Sequence, residues 1–252
     1  MKTPLPCLLL LFVSGIADEA PVATAGPPVH DAHYFDALRT ELRKQWPANR
    51  TLRFVFHGHS VPAGYFKTPT VRRFDSYPTL FHQQLCEQFP TAVIDVNVTA
   101  IGGENSVAGA KRFEADVIAL KPDVVFIDYA LNDRRVGLEQ AKAAWRSMIE
   151  RCLKEDILVV LLTPTPDQRE NILDDESPLE KHAAQVRELA AEYKIPLVDS
   201  YAAFRQRAAA GDDISAFMSQ SNHPNRDGHV IVVRLLFELF AEPGESPDSG
   251  KE

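Results

Sequence analysis

Leu52-Arg53-Phe54-Val55-Phe56-His57-Gly58-His59-Ser60-Val61-Pro62-Ala63-Gly64 is the stretch on which the fold turns. Leu52 to Phe56 is a short apolar run closed by glycine, and it reads as a buried strand. The strand ends in a tight turn carrying one serine. At the carboxyl edge of a sheet such a hydroxyl is exposed and sterically free, which suits an acyl-transfer nucleophile. The plainer reading makes Ser60 a helix N-cap. What separates the two lies downstream.

Strand-like runs recur at Ala92–Val98, Val124–Asp128, Ile157–Leu162 and Pro196–Val198. Helical patterns stand between them at Tyr77–Gln88, Ser106–Leu120, Leu138–Lys154 and Pro178–Tyr193, and a last one runs from Arg226 to Phe240. Ahead of the first strand, Ala32–Trp46 is amphipathic, with Phe35, Leu38, Leu42 and Trp46 on one side. Short apolar strands alternating with helices predict an α/β fold: a three-layer α/β/α sandwich around a parallel sheet of about five strands. Right-handed crossovers place every strand-to-helix loop on one edge, where ligands bind. One domain over residues 30–241 accounts for the pattern, with no internal repeat.

The chain has 252 residues, 45% apolar and 25% charged, with a net charge of −8. Its basic residues do not gather into a stripe, which argues against nucleic acid as a partner. The amino terminus reads as an export signal and spacer over residues 1–25. Lys2 is followed by the apolar run Leu8–Val13, too short to span a bilayer, and by small-residue cleavage sites at Gly15-Ile16-Ala17 and Ala23-Thr24-Ala25. Cleavage leaves no membrane span and a periplasmic or extracellular protein. Residues 242–252, polar and rich in Pro and Gly, read as a disordered tail. Cys86 and Cys152 lie in helical patterns and are expected as free buried thiols. No Cys/His spacing suggests zinc or another metal, and nothing calls for a cofactor.

The unusual residues all fall at the expected ligand edge. After the first strand comes Gly58-His59-Ser60, after the second Ala100-Ile101-Gly102-Gly103-Glu104-Asn105, and after the third Ala130-Leu131-Asn132-Asp133. Late in the chain stands Asn222-His223-Pro224-Asn225. Acyl transfer needs a nucleophile, a base, donors for the oxyanion and a group to orient the base. Ser60 suits the first role and His223 the second, since a neutral imidazole titrates near neutral pH. The amides of Ser60 and Gly103 and the side chain of Asn132 suit the third.

These segments resemble the conserved blocks of the SGNH, or GDSL-type, hydrolases, a family of esterases, lipases and carbohydrate acetylesterases with a flavodoxin-like sheet. Gly58-His59-Ser60-Val61-Pro62-Ala63-Gly64 is similar to the first block, Ala100-Ile101-Gly102-Gly103 to the second, Ala130-Leu131-Asn132-Asp133 to the third and His223-Pro224-Asn225 to the fifth. The resemblance covers residues 51–240. It implies a serine esterase with Ser60 and His223 as catalytic residues, and Ser60, Gly103 and Asn132 as oxyanion hole. It implies further a small-molecule or polysaccharide ester as substrate, most simply a short acyl group on a carbohydrate or another small polar alcohol.

The chain departs from the family pattern at three positions. His59 stands where the first block has aspartate, and Ala130 where the third has glycine. Gln220 stands where the fifth block has the acid that orients the histidine. Glutamine accepts a hydrogen bond but brings no charge. Three substitutes for the acid stay open: Gln220 itself, Asp212 or Asp213 from the preceding loop, or a backbone carbonyl that leaves a Ser-His dyad. The loss of the acid also keeps open a weakly active or non-catalytic carbohydrate-binding protein on the same fold, beside a GDSL-type lipase. The insertion Tyr65–Tyr77 and the segment Pro166–Ser177 are expected to wall the site. His57, His59 and His229 read as packing residues rather than metal ligands.

Overall fold

The computed structural model describes residues 33–240. The expected export signal and spacer at residues 1–25 and the expected tail at 242–252 lie outside the described residues. Five parallel strands form one sheet: β1 Thr51–Gly58, β2 Val93–Val98, β3 Val124–Asp128, β4 Leu158–Leu162 and β5 Leu197–Val198. Their order is β2-β1-β3-β4-β5, the order of a doubly wound sheet whose switch point lies between β1 and β3. The helices are α1 Asp36–Leu42, α2 Ser60–Ala63, α3 Tyr77–Gln88, α4 Ser106–Asp116, α5 Ala130–Asp133, α6 Leu138–Leu153, α7 Pro178–Tyr193, α8 Ser200–Ala209 and α9 Arg226–Phe240. A two-stranded ribbon, β6 Met218–Gln220 with β7 His223–Pro224, precedes α9.

Alternation along each strand divides the core in two. Leu52, Phe54 and Phe56 of β1 join Phe126 of β3 and Val160 of β4 on one face, under α1, α3 and α9. Val55, Val125, Ile127 and Val159 point the other way, under α4 and α6. Phe56 and Phe126 stack with ring centroids 4.2 Å apart and planes 8° from parallel. Fully burying one such ring contributes about 1.5–3 kcal/mol, so the β1–β3 pairing anchors the sheet. At the end of β1 only glycine fits. A Cβ on Gly58 would lie 2.5 Å from the Asp128 carbonyl oxygen and 2.8 Å from Pro62 Cγ. The chain can therefore turn sharply into α2 directly beside β3.

Several expectations need correction. Trp46 is 84% exposed, because α1 ends at Leu42 and the helical stripe does not reach it. Cys86 is exposed: it follows the buried Leu85 on α3, and one step of about 100° turns it away from the core. Cys152 is buried, and both thiols are free. The second strand lies at the sheet edge with a single neighbour, which leaves Val93 48% exposed. The β6–β7 ribbon was not anticipated, since two or three residues carry no readable period. Among the described residues, no helix is long and apolar enough to cross a membrane.

Three buried histidines make stability depend on pH. Burial pushes His57 and His229 down to about 3 and His182 to about 4. His57 lies between the Thr99 hydroxyl at 2.8 Å and the Gly109 carbonyl at 3.2 Å, and His229 Nδ1 accepts the Tyr77 N–H at 3.2 Å. The unfolded chain protonates these rings near pH 6.5 and the folded one does not. Their contribution is complete above that pH and is lost as pH falls toward their folded values, at about 1.4 kcal/mol per pH unit for each ring. Urea midpoints followed by circular dichroism should accordingly decline steadily from pH 6.5 to pH 5. A flat profile over that window would contradict the assignment.

Candidate active site

Ser60 is the first residue of α2, set by the Gly58 turn at the carboxyl end of β1. His59 caps that helix: its Nδ1 accepts the Val61 N–H at 3.2 Å. A nitrogen that accepts carries no proton, so the His59 ring proton is on Nε2. That nitrogen lies 3.2 Å from Asp128 Oδ1 but is misaligned for a hydrogen bond, so the pair makes an electrostatic contact only. The other Asp128 oxygen accepts the Tyr77 hydroxyl at 2.9 Å. His59 thus shapes the turn at the position where the family carries aspartate.

His223 arrives from β7. Its Nε2 lies 2.8 Å from Ser60 Oγ, and its Nδ1 lies 3.1 Å from the Phe66 carbonyl oxygen. A carbonyl only accepts, so the proton is on Nδ1 and the Nε2 lone pair faces the serine hydroxyl. This is the tautomer a general base requires. Ser60 is 6% exposed and His223 5%, so the serine is buried against its base rather than exposed as a strand-end hydroxyl was expected to be. Burial lowers the His223 pKa below its ordinary 6.5, and the Phe66 carbonyl opposes that fall.

None of the three side chains considered as orienting partners hydrogen-bonds to the imidazole. Gln220 Oε1 accepts the Thr68 N–H at 2.9 Å, while its Nε2 donates to Asn222 Oδ1 at 3.1 Å. Asp213 caps the following turn through the Ser215 N–H at 2.9 Å and hydroxyl at 2.8 Å. Asp212 pairs with Arg207 at 2.9 Å. The Phe66 carbonyl takes the place beside Nδ1. Only the general option of a backbone carbonyl was readable beforehand, because a main-chain oxygen has no signature in sequence.

Gly103 and Asn132, two of the oxyanion candidates, stand on loops that are tied to each other. Gly103 has φ +79°, and beyond its immediate chain neighbours no protein atom lies within 4 Å of where a Cβ would stand. Asn132, in α5 after β3, donates from Nδ2 to the Glu104 carbonyl at 2.9 Å. That bond ties the loops after β2 and β3 together and leaves a second Nδ2 proton for a ligand. Among the described residues, the Ser60 and Gly103 amides donate to no protein group. Asp133 beside Asn132 is buried and accepts the Ser106 N–H and the Trp145 indole N–H, each at 2.7 Å. Burial raises its pKa despite those bonds. Asn132 and Asp133 are thus part of α5 itself, and the N-cap of α6 is Gly137.

Sequence reasoning missed two charged groups that brace these loops. Arg112 Nε reaches both Glu104 carboxylate oxygens at 2.9 Å, and the Tyr129 hydroxyl donates to the same carboxylate at 2.9 Å. Arg134 pairs with Asp167 at 2.7 Å and with Glu170. The latter holds the segment expected as one wall, which is also joined to the ribbon loop by the Gln168 N–H on the Ser221 carbonyl at 2.7 Å. Tyr65 stands with its ring centroid 5.9 Å from that of His223. Arg72 covers the Phe66 ring at 3.9 Å. Such groups look like ordinary surface charges until distant segments are brought together.

The profile of the GDSL-like Lipase/Acylhydrolase family matches residues 56–231. No curated protein matches the chain by sequence. Among solved structures, the acetylxylan esterase Axe2 from Geobacillus stearothermophilus superposes with a TM-score of 0.66 at 23% identity, over 75% of this chain and 94% of that one. A serine-to-alanine catalytic mutant of the same enzyme gives 0.66 at 22% identity, over 76% and 95%. A two-domain esterase active on acetylated mannans gives 0.68 at 19% identity, over 88% of this chain and 56% of that one. These likenesses establish the shared fold. With the profile spanning most of the chain, the protein belongs to the GDSL-like lipase/acylhydrolase family of ester hydrolases.

Proposed function

We propose that this protein is an exported serine esterase that removes short acyl groups, chiefly acetyl, from a carbohydrate or another small polar alcohol. The observation that carries the reading is the 2.8 Å contact between Ser60 Oγ and the unprotonated Nε2 of His223. Ser60 attacks the ester carbonyl while His223 takes its proton. The resulting imidazolium keeps its Nδ1–H on the Phe66 carbonyl. The tetrahedral oxyanion is met by the amides of Ser60 and Gly103 and the free Nδ2 proton of Asn132. Collapse expels the alcohol with the proton from His223, and water then releases the acid through the same base. The acetyl preference draws support from structural neighbours that act on acetylated xylan and acetylated mannans. Export rests on the signal read at residues 1–25.

A screen of acetylated oligosaccharides and p-nitrophenyl esters of rising chain length should show acetyl esters turned over fastest. Ser60→Ala should abolish hydrolysis and labelling by a fluorophosphonate probe; unchanged hydrolysis would reject the mechanism. Absent labelling of the native protein would instead favour a non-catalytic binding role. Replacing Asn132 with alanine removes one oxyanion donor and should lower kcat by about 10²–10³-fold.

The pH profile has a definite sign. Only neutral His223 can accept the serine proton, and burial shifts its titration downward. Activity should therefore persist below the ordinary imidazole value and fall as pH drops through the lowered one. An acid limb of kcat/KM centred at or above 6.5 would be inconsistent with this geometry.

A further inference from the structure

We infer that Gln220 is a positioning residue that acts on His223 through the hairpin formed by residues 64–72. This rests on the esterase reading above and assigns a role to the position where that family carries an acid. The hairpin is built from its own backbone. Tyr65 and Val71 form an antiparallel bridge, the Phe66 N–H donates to the Thr70 carbonyl at 3.0 Å, and the Arg72 N–H donates to the Gly64 carbonyl at 2.8 Å. Its residues 67–70 are exposed. Among the described residues, hydrogen bonds from 66–70 to groups outside the hairpin reach only Gln220 and His223.

The Gln220 amide uses both ends. Its Oε1 accepts the Thr68 N–H at 2.9 Å, two residues from the carbonyl that faces the imidazole. Its Nε2 donates to Asn222 Oδ1 at 3.1 Å, on the residue next to His223. A single side chain therefore joins the two segments whose separation sets the Nδ1–carbonyl distance. A carboxylate would orient and stabilise an imidazolium by its charge over a range of placements. A neutral carbonyl works only as a well-aligned dipole, so an exposed hairpin that supplies one must be held. The short side chain of an aspartate would act on the ring directly; the longer glutamine reaches past it to the hairpin.

The test compares Gln220→Leu, which keeps size and removes all three of its hydrogen bonds, with Gln220→Glu, which keeps the acceptor for the Thr68 N–H and accepts from the Asn222 amide once that side chain flips. Thr68→Ala, which retains its N–H and loses only the long 3.4 Å bond from Gln220 Nε2 to the Thr68 hydroxyl, is the control. Gln220→Leu should lower kcat by about tenfold or more with KM within about twofold, the split expected when alignment rather than binding is lost. Gln220→Glu should restore most of the rate, and Thr68→Ala should stay close to the native protein. Proton NMR of histidine-labelled protein gives a readout independent of turnover. The downfield Nδ1–H signal of His223 should persist in the native protein and in Gln220→Glu, and vanish by solvent exchange in Gln220→Leu. Gln220→Ala replaces the leucine variant if that one does not fold. Retention of both rate and signal in Gln220→Leu would overturn the proposal, as would failure of Gln220→Glu to restore them. If the native protein hydrolyses no ester, the esterase reading falls while the NMR comparison still decides the latch.

Discussion

The close approach of β1 to β3 governs everything at the sheet edge. Phe56 stacks on Phe126 within the core, and two residues later Gly58 lies directly opposite Asp128. There is no room for a Cβ at that point, so the chain turns within one residue and α2 begins with Ser60 at the edge of the sheet. His59, between them, is fixed by the same approach: one ring nitrogen caps α2 and the other faces Asp128. Displacing β1 by one residue would reverse every side chain along it and carry the serine to the wrong side of the sheet.

Around this fixed serine, among the described residues, no carboxylate bonds to the His223 imidazole. The family's acid is replaced by a main-chain carbonyl at His223 Nδ1. Charged pairs stand farther out, where they brace loops: Glu104 with Arg112 behind the second loop, and Arg134 with Asp167 behind the fourth. This division has a physical logic. An ionised carboxylate buried beside the imidazole would raise its pKa and incur its own desolvation cost. A carbonyl costs less to bury and leaves the ring more readily neutral, at the expense of weaker stabilisation of the imidazolium in the transition state. In the proposed mechanism, this geometry favours a base that is available at lower pH over one that is strongly supported once charged.

Much of this was legible in the chain itself. The strands and the long helices follow from apolar runs and helical spacing, and several boundaries coincide with the expected ones, as at Tyr77–Gln88 and Pro178–Tyr193. The pairing of Ser60 with His223 was legible only as two motifs at one edge, since 163 residues separate them. Three elements were not legible, each for a local reason. Cys86 follows a core residue but is rotated out of the core by the helix itself. Trp46 continues an apolar stripe after the helix that would carry it has ended. The β6–β7 ribbon is too short to show alternation.

By itself, then, the sequence determined the alternating α/β order, the edge on which the loops gather, and the residue types available there for acyl transfer. Those properties depend on periodicity and on side chains, which a sequence states directly. Tertiary structure alone decided what orients His223, and it excluded Gln220, Asp212 and Asp213 from that place. The reason is that the group beside Nδ1 belongs to the backbone of a hairpin 157 residues away. Every residue has a carbonyl, so only the path of the folded chain can single out the one at Phe66.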